Sequence, residues 1–146
     1  MVHFKLVTLS GVKFDGEAYE VILPTLDGQI AVLTDHMPLV SVATTGVISV
    51  RRSSRDPDYQ MESFAANGGV IEVENNELTV LVDEANHSAE INETEAQKAY
   101  ERAQKMKSEA KDAISLEHAQ TQIDRHAVRL KVAQLHRRHG SRNRQQ

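Results

Sequence analysis

The period of the apolar pattern changes once along this chain, near residue 90, and that change limits the fold more than any other feature. Up to about Asp83 the apolar residues fall in short runs: VHFKLVTL, AYEVILP, QIAVL, LVSVAT, GVISVRR, YQMESFAA, VIEVE and LTVLVD. They are rich in β-branched residues, and several alternate with period 2, which predicts strands. Between them lie Ser10-Gly11, Asp15-Gly16, Asp27-Gly28, Asp56-Pro57-Asp58, Asn67-Gly68-Gly69 and Asn75-Asn76, all turn formers. Short strands at regular spacing predict an antiparallel β-sandwich or barrel. Strands and helices do not alternate, so a nucleotide-binding α/β fold is not expected.

Past Glu90 the period becomes helical. Ala96, Ala99, Ala103, Met106, Ala110 and Ala113 recur at intervals of three and four. Small residues on such a stripe let a second helix come close. Asn92 precedes the stripe with Glu95 three positions on, the pattern of a helix cap. A second stripe follows in Leu116, Ala119, Ile123, Ala127 and Leu130, widened by Val128, Val132 and Leu135. The stretch between, KDAISLEH, holds no Gly or Pro and only Asp112 and Ser115 as mild interrupters. A helical hairpin is the simplest expectation, and one extended helix is also compatible. The expected organisation is a β-sandwich over 1–84, a linker over 85–91, a helical hairpin over 92–140 and a flexible tail over 141–146.

Charge divides at the same place. Residues 1–90 carry 5 Lys/Arg against 14 Asp/Glu, whereas residues 91–146 carry 12 Lys/Arg against 7 Asp/Glu. An acidic first half and a basic second half point to different partners. There is no cysteine in the 146 residues, which removes disulfides, thiol catalysis and Cys-bound zinc. The opening MVHFKLVTLS is too short and polar for a secretory signal. No run approaches the ~18 apolar residues of a membrane span. These features predict a soluble intracellular protein without direct membrane insertion, free to dock on a membrane complex.

No catalytic constellation emerges. His36 lies in DHMPLV beside Asp35 and Thr34, but neighbours on an extended strand point to opposite faces. A general base there would lack a nucleophile and an orienting group. His136 and His139 stand three apart on an expected helix without a nearby carboxylate, so no metal site is expected. NGGV at 67–70 lacks the phosphate-cradling glycine patterns and reads as a hairpin. RRSSR at 51–55 reads as an exposed basic loop. The basic tail RHAVRLKVAQLHRRHGSRNR has no aromatic residue for base stacking, so nucleic acid is not expected. An acidic protein surface suits a basic amphipathic helix better.

With both halves in place, the chain resembles the epsilon subunit of F-type ATP synthases almost end to end. GVKFDGEAYEVILPTLDGQIAVLTDHMPLV is similar to that family's opening hairpins and its Gly–apolar–His-x-Pro-Leu signature. ANGGVIEVENNELTVLVDEA is similar to its closing hairpins, and RLKVAQLHRR to its last helix. The resemblance implies a sandwich followed by two helices that fold into a hairpin or extend. It implies a non-catalytic, cofactor-free subunit of the central rotor stalk that links the gamma subunit to the c-ring and couples proton flow to ATP synthesis. The helices would also contact the catalytic beta subunit, with alpha beside it, and suppress ATP hydrolysis. The implied place is peripheral, on the cytoplasmic face of a bacterial plasma membrane or on a thylakoid membrane. The initiator Met directly before the matching region fits a bacterial or plastid-encoded chain without a transit peptide.

The resemblance assigns residues. His36, Met37, Pro38 and Leu39 fall on the rotor-binding loop, and Pro38 would fix its backbone. Gln29 lies where the family usually has an acid facing the c-ring, so contact there would be through neutral hydrogen bonds. Arg125, Arg129, Lys131, Arg137 and Arg138 are the expected inhibitory contacts to beta. An alternative is an ATP-sensing module, because some members bind ATP through an Ile/Leu-Asp-x-x-Arg-Ala motif. The matching stretch is INETEA: Ile91 and Ala96 fit, Asn92 replaces the acid, and Glu95 replaces the arginine. That degenerate motif implies weak or absent nucleotide binding.

Overall fold

A computed structural model describes residues 1–144. The chain forms two compact units, 1–87 and 88–146.

The first unit is built from ten strands: β1 (Val2–Thr8), β2 (Gly11–Ala18), β3 (Glu20–Thr25), β4 (Gly28–Val32), β5 (Leu39–Ala43), β6 (Gly46–Arg51), β7 (Glu62–Ala66), β8 (Gly69–Glu74), β9 (Glu77–Val82) and β10 (Ala85–His87). Their order is β10-β7-β6-β3-β5-β8-β9-β1-β2, with β4 paired to β3. β3 is the fold-over point: Glu20–Ile22 pair with β6, while Thr25 pairs with Ala43 of β5. One sheet thus wraps into a sandwich close to a barrel. The neighbouring strands are antiparallel except β1 and β9, which run parallel. A parallel pair needs a long connection, and here it joins the first strand to the ninth.

Alternation places the core. In β1, Val2, Phe4, Leu6 and Thr8 point inward, while His3, Lys5 and Val7 face out. Leu23, Ile48, Phe64, Ile71, Leu78 and Val80 complete the interior. Each fully buried side chain of this size contributes about 1.5–3 kcal/mol. A ring series runs through it: Phe4 to Phe14 at 5.1 Å between centroids, Phe14 to Phe64 at 6.1 Å, and Phe64 to His87 at 5.0 Å. Arg52 lies over Phe14 at 4.4 Å.

His87 marks a correction. Residues 85–91, expected as linker, begin with strand β10, which pairs Ala85 to Ala66 and His87 to Phe64. Ala85 is fully buried, so the sheet gains core by continuing past 84. A short 3-10 turn at Ser88–Glu90 follows.

The second unit is an antiparallel pair, α1 (Glu93–Glu109) and α2 (Ala113–Asn143). Of the two arrangements compatible with the sequence, the structure has the hairpin. Ala110 turns to extended backbone, and Asp112 Oδ1 accepts from the Ser115 N–H at 2.7 Å, capping α2. Those bonds, with Ser115 first, hold the Asp112 carboxyl below its ordinary pKa. Ala96 and Ala103 of α1 are buried, as are Ala119, Val132 and Ala133 of α2. The expected tail at 141–146 is also revised: 141–143 continue α2, Arg144 forms the turn after it, and 145–146 lie outside the described residues.

Candidate functional site

The β3–β4 hairpin presents Gln29. Its turn uses Gly28 at φ +113, a left-handed conformation that glycine adopts without strain. Thr25 Oγ1 donates to the Gly28 carbonyl at 2.6 Å. Gln29 pairs with Pro24 across the hairpin and is exposed, with Leu26 projecting beside it at the tip.

The segment from 33 to 38 links β4 to β5 and carries the His-x-Pro-Leu signature. It is a turn, not an extended strand as expected at His36. Asp35 has φ 61, and the His36 N–H donates to the Leu33 carbonyl at 3.2 Å. His36 Nδ1 lies 2.7 Å from the Met37 carbonyl, so that nitrogen is the donor. The histidine is thereby committed to shaping the loop. Met37 is 75% exposed, Pro38 is exposed, and Leu39 packs partly against the core. His36 to Leu39 are therefore together on one short, shaped segment, with Met37 as its apolar projection.

From this loop the outer face of the sheet continues. Val40 is 74% exposed on β5. Two residues on, Val42 pairs with Val70 of β8, which pairs with Leu81 of β9. Leu81 pairs with Val7 of β1, which pairs with Val12 of β2. The result is an apolar row across five strands, with Val42, Val70, Leu81 and Val12 all exposed. Toward the other end, the same face turns charged. His3 stands 3.1 Å from Glu17 and 2.7 Å from Asp15, and those bonds, Glu17's first, raise its pKa above 6.5. Burying an apolar row with a charged margin is what a protein interface does.

On the helices, Asn92 Oδ1 accepts from the Glu95 N–H at 3.1 Å. Asn92 and Glu95 are both exposed, whereas Ile91 is half-buried and Ala96 is buried. Two contacts tie the far end of α2 to the start of this unit. Arg137 Nη1 lies 3.0 Å from Glu93 Oε1, and Ser88 Oγ lies 3.4 Å from His136 Nδ1. The five expected cations do not share one face. By helical period Arg125 and Arg129 lie together, Lys131 and Arg138 lie together, and Arg137 stands apart. Arg125 and Arg129 are half-buried, while Lys131, Arg137 and Arg138 are exposed. Among the described residues, no group of three His, Asp or Glu is placed to hold a metal ion.

Residues 1–88 match the family described as the ATP synthase, Delta/Epsilon chain, beta-sandwich domain. The chain is 38% identical over 106 residues to the ATP synthase epsilon chain of Gloeothece citriformis, covering 73% of each. It is 33% identical over 132 residues to that of Gloeobacter violaceus, covering 90% of this chain and 96% of the relative. The chain belongs to the ATP synthase epsilon chain family.

The likeness in fold extends across both units. A chain of the Euglena gracilis mitochondrial ATP synthase, in an assembly of OSCP, F1 and c-ring, superposes with a TM-score of 0.75 at 19% identity. The match covers 90% of this chain and 80% of that one. No described helix is long and apolar enough to cross a membrane. For this epsilon-family chain, the sequence marked the loop at 36–39 but not the apolar row. A signal existed: LVSVA in β5 is apolar on both phases of the strand, which predicts cover on both faces.

Proposed function

We propose that this chain is a non-catalytic subunit of the central rotor stalk of an F-type ATP synthase, peripheral to the membrane. Its sandwich docks on the gamma subunit and the c-ring, and its helices form an arm that restrains ATP hydrolysis by the alpha and beta subunits. The observation that carries the docking is the apolar row Val42–Val70–Leu81–Val7–Val12, led into by Val40 and the exposed Met37. Three valines and a leucine exposed on four of the five paired strands are costly in water and gain by being covered. Gln29, on its own hairpin, is assigned to the c-ring by neutral hydrogen bonds. Arg125, Arg129, Lys131, Arg137 and Arg138 are assigned to the acidic surface of the beta subunit, reached when the hairpin opens.

The ATP-sensing alternative has less support. Asn92 already spends its side-chain oxygen on the Glu95 N–H, and the Glu95 carboxylate would repel phosphate. The docking test is a binding titration of the full chain against the cognate complex stripped of this subunit. Met37→Glu and Val42→Glu should each weaken binding tenfold or more, since each places a charge in an apolar contact, by roughly the burial cost of an unpaired polar group. Wild-type affinity in both variants would remove the docking assignment.

A further inference from the structure

We propose that Asn76 is a positioning residue: its side-chain amide clamps Asp35 and holds the 33–38 loop in the shape that docks. The proposal rests on the docking role of that loop. Asp35 N–H donates to Asn76 Oδ1 at 2.6 Å, and Asn76 Nδ2 donates to Asp35 Oδ1 at 3.1 Å. Asp35 offers one donor and one acceptor side by side. A primary amide returns an acceptor and a donor in that arrangement without changing its protonation.

Both partners occupy positions where the backbone itself is unusual. Asp35 has φ 61 and Asn76 has φ 60, a region that most residues avoid and that Asn and Asp tolerate. Asn75, at φ 51, completes the β8–β9 turn, and the Asn76 carbonyl accepts from the His3 N–H at 2.9 Å. The amide is therefore mounted on a turn fixed from two sides. It reaches a loop otherwise held by its own short bonds and by Thr34 Oγ1, which accepts from the Met1 amine at 2.7 Å. Asp35 precedes His36 and Met37 directly, so its left-handed turn sets the direction in which Met37 projects. A loop already in its bound shape loses less freedom on docking.

The chemistry supplies its own test, because the clamp can be reversed. Asp35→Asn keeps an oxygen for Asn76 Nδ2 but gives up the charge, so it should weaken binding less than Asn76→Asp does. Asn76→Asp sets two carboxylates against each other and should weaken binding roughly three- to tenfold, the range for the net loss of an ordinary hydrogen bond. The double variant D35N/N76D restores a donor facing a carboxylate, with the roles exchanged, and should recover affinity. Full-length variants are titrated against the cognate complex lacking this subunit. Amide exchange at 34–37 is followed in parallel and should quicken most in Asn76→Asp. Ile48→Val, in the core away from the loop, serves as a stability control: it should lower Tm and leave affinity unchanged. Met37→Glu separates the two levels. If Met37→Glu binds normally, the docking role of the loop fails and the clamp's role fails with it. If Met37→Glu weakens binding while Asn76→Asp does not, or the double variant does not recover, the clamp alone is overturned. Equal weakening in Ile48→Val would also overturn it.

Discussion

Arg137 and Glu93 form an ion pair 3.0 Å long between the last part of α2 and the first turn of α1. The pair joins the two ends of the hairpin's open side, where Ser88 and His136 also meet. It also occupies one of the five cations assigned to the beta subunit. The folded hairpin and the proposed inhibitory contact therefore compete for Arg137.

Glu93→Gln removes that competitor. The pair is largely exposed on the arginine side, so its loss should cost the hairpin about 0.2–1 kcal/mol. Amide exchange in the first turns of α1 should quicken while the sandwich is unchanged. With the assembled complex, steady-state ATP hydrolysis should fall, because the arm opens more readily. Hydrolysis that is unchanged or faster would show that the pair does not restrain the arm.

His139 gives the same end of α2 a pH dependence. Burial, then Arg142, then His136 hold its pKa below the ordinary 6.5. The folded helix therefore favours the neutral ring, and the opened state binds the proton more readily. The hairpin's stability at this end is complete above pH 6.5 and declines as pH falls through the lower folded value. Once the intrinsic pH dependence of amide exchange is divided out, protection near 136–139 should fall between pH 7.5 and 5.5 in the wild type and stay flatter in His139→Gln. Equal slopes would assign the effect to other groups.

Gly69 tests whether the outer face depends on close strand packing. A Cβ at this position would collide with the Leu81 carbonyl oxygen, which is backbone and cannot move aside. Gly69→Ala should destabilise the first unit by about 1–3 kcal/mol, the range for forced overpacking. It should also weaken docking, because Gly69 sits beside Val70 and pairs with Val82, next to Leu81. Denaturant unfolding reads the first effect and the binding titration the second. A variant with wild-type stability would contradict the packing.

The two architectures were legible because each has its own period. Eight of the strands up to Val82, the Asn75-Asn76 turn and the Asn92 cap follow from local residue chemistry, but β2 does not: Asp15-Gly16, expected as a turn, lies inside it, paired with Lys5 and Phe4 of β1. Strand β10 was not legible, since Ala-Asn-His carries no strand signal and earns its place through the burial of Ala85 against the sheet. The choice between hairpin and extended helix rested on Asp112, whose capping of Ser115 has a weak sequence signature. The loop at 36–39 was found through its His-x-Pro-Leu pattern. Its clamp was not, because Asp35 and Asn76 lie 41 positions apart and only the pairing of β5 with β8 brings the loop beside the β8–β9 turn. The apolar row was hidden for the same reason: five residues from five strands become one feature only after pairing.

The central claim divides the chain into a dock and an inhibitory arm. Its most direct test is ATP hydrolysis by the cognate complex rebuilt with the full chain or with a chain ending at Glu90, which retains all ten strands. The account predicts faster hydrolysis with the shortened chain while binding to gamma persists. Unchanged hydrolysis with intact binding would contradict the inhibitory arm.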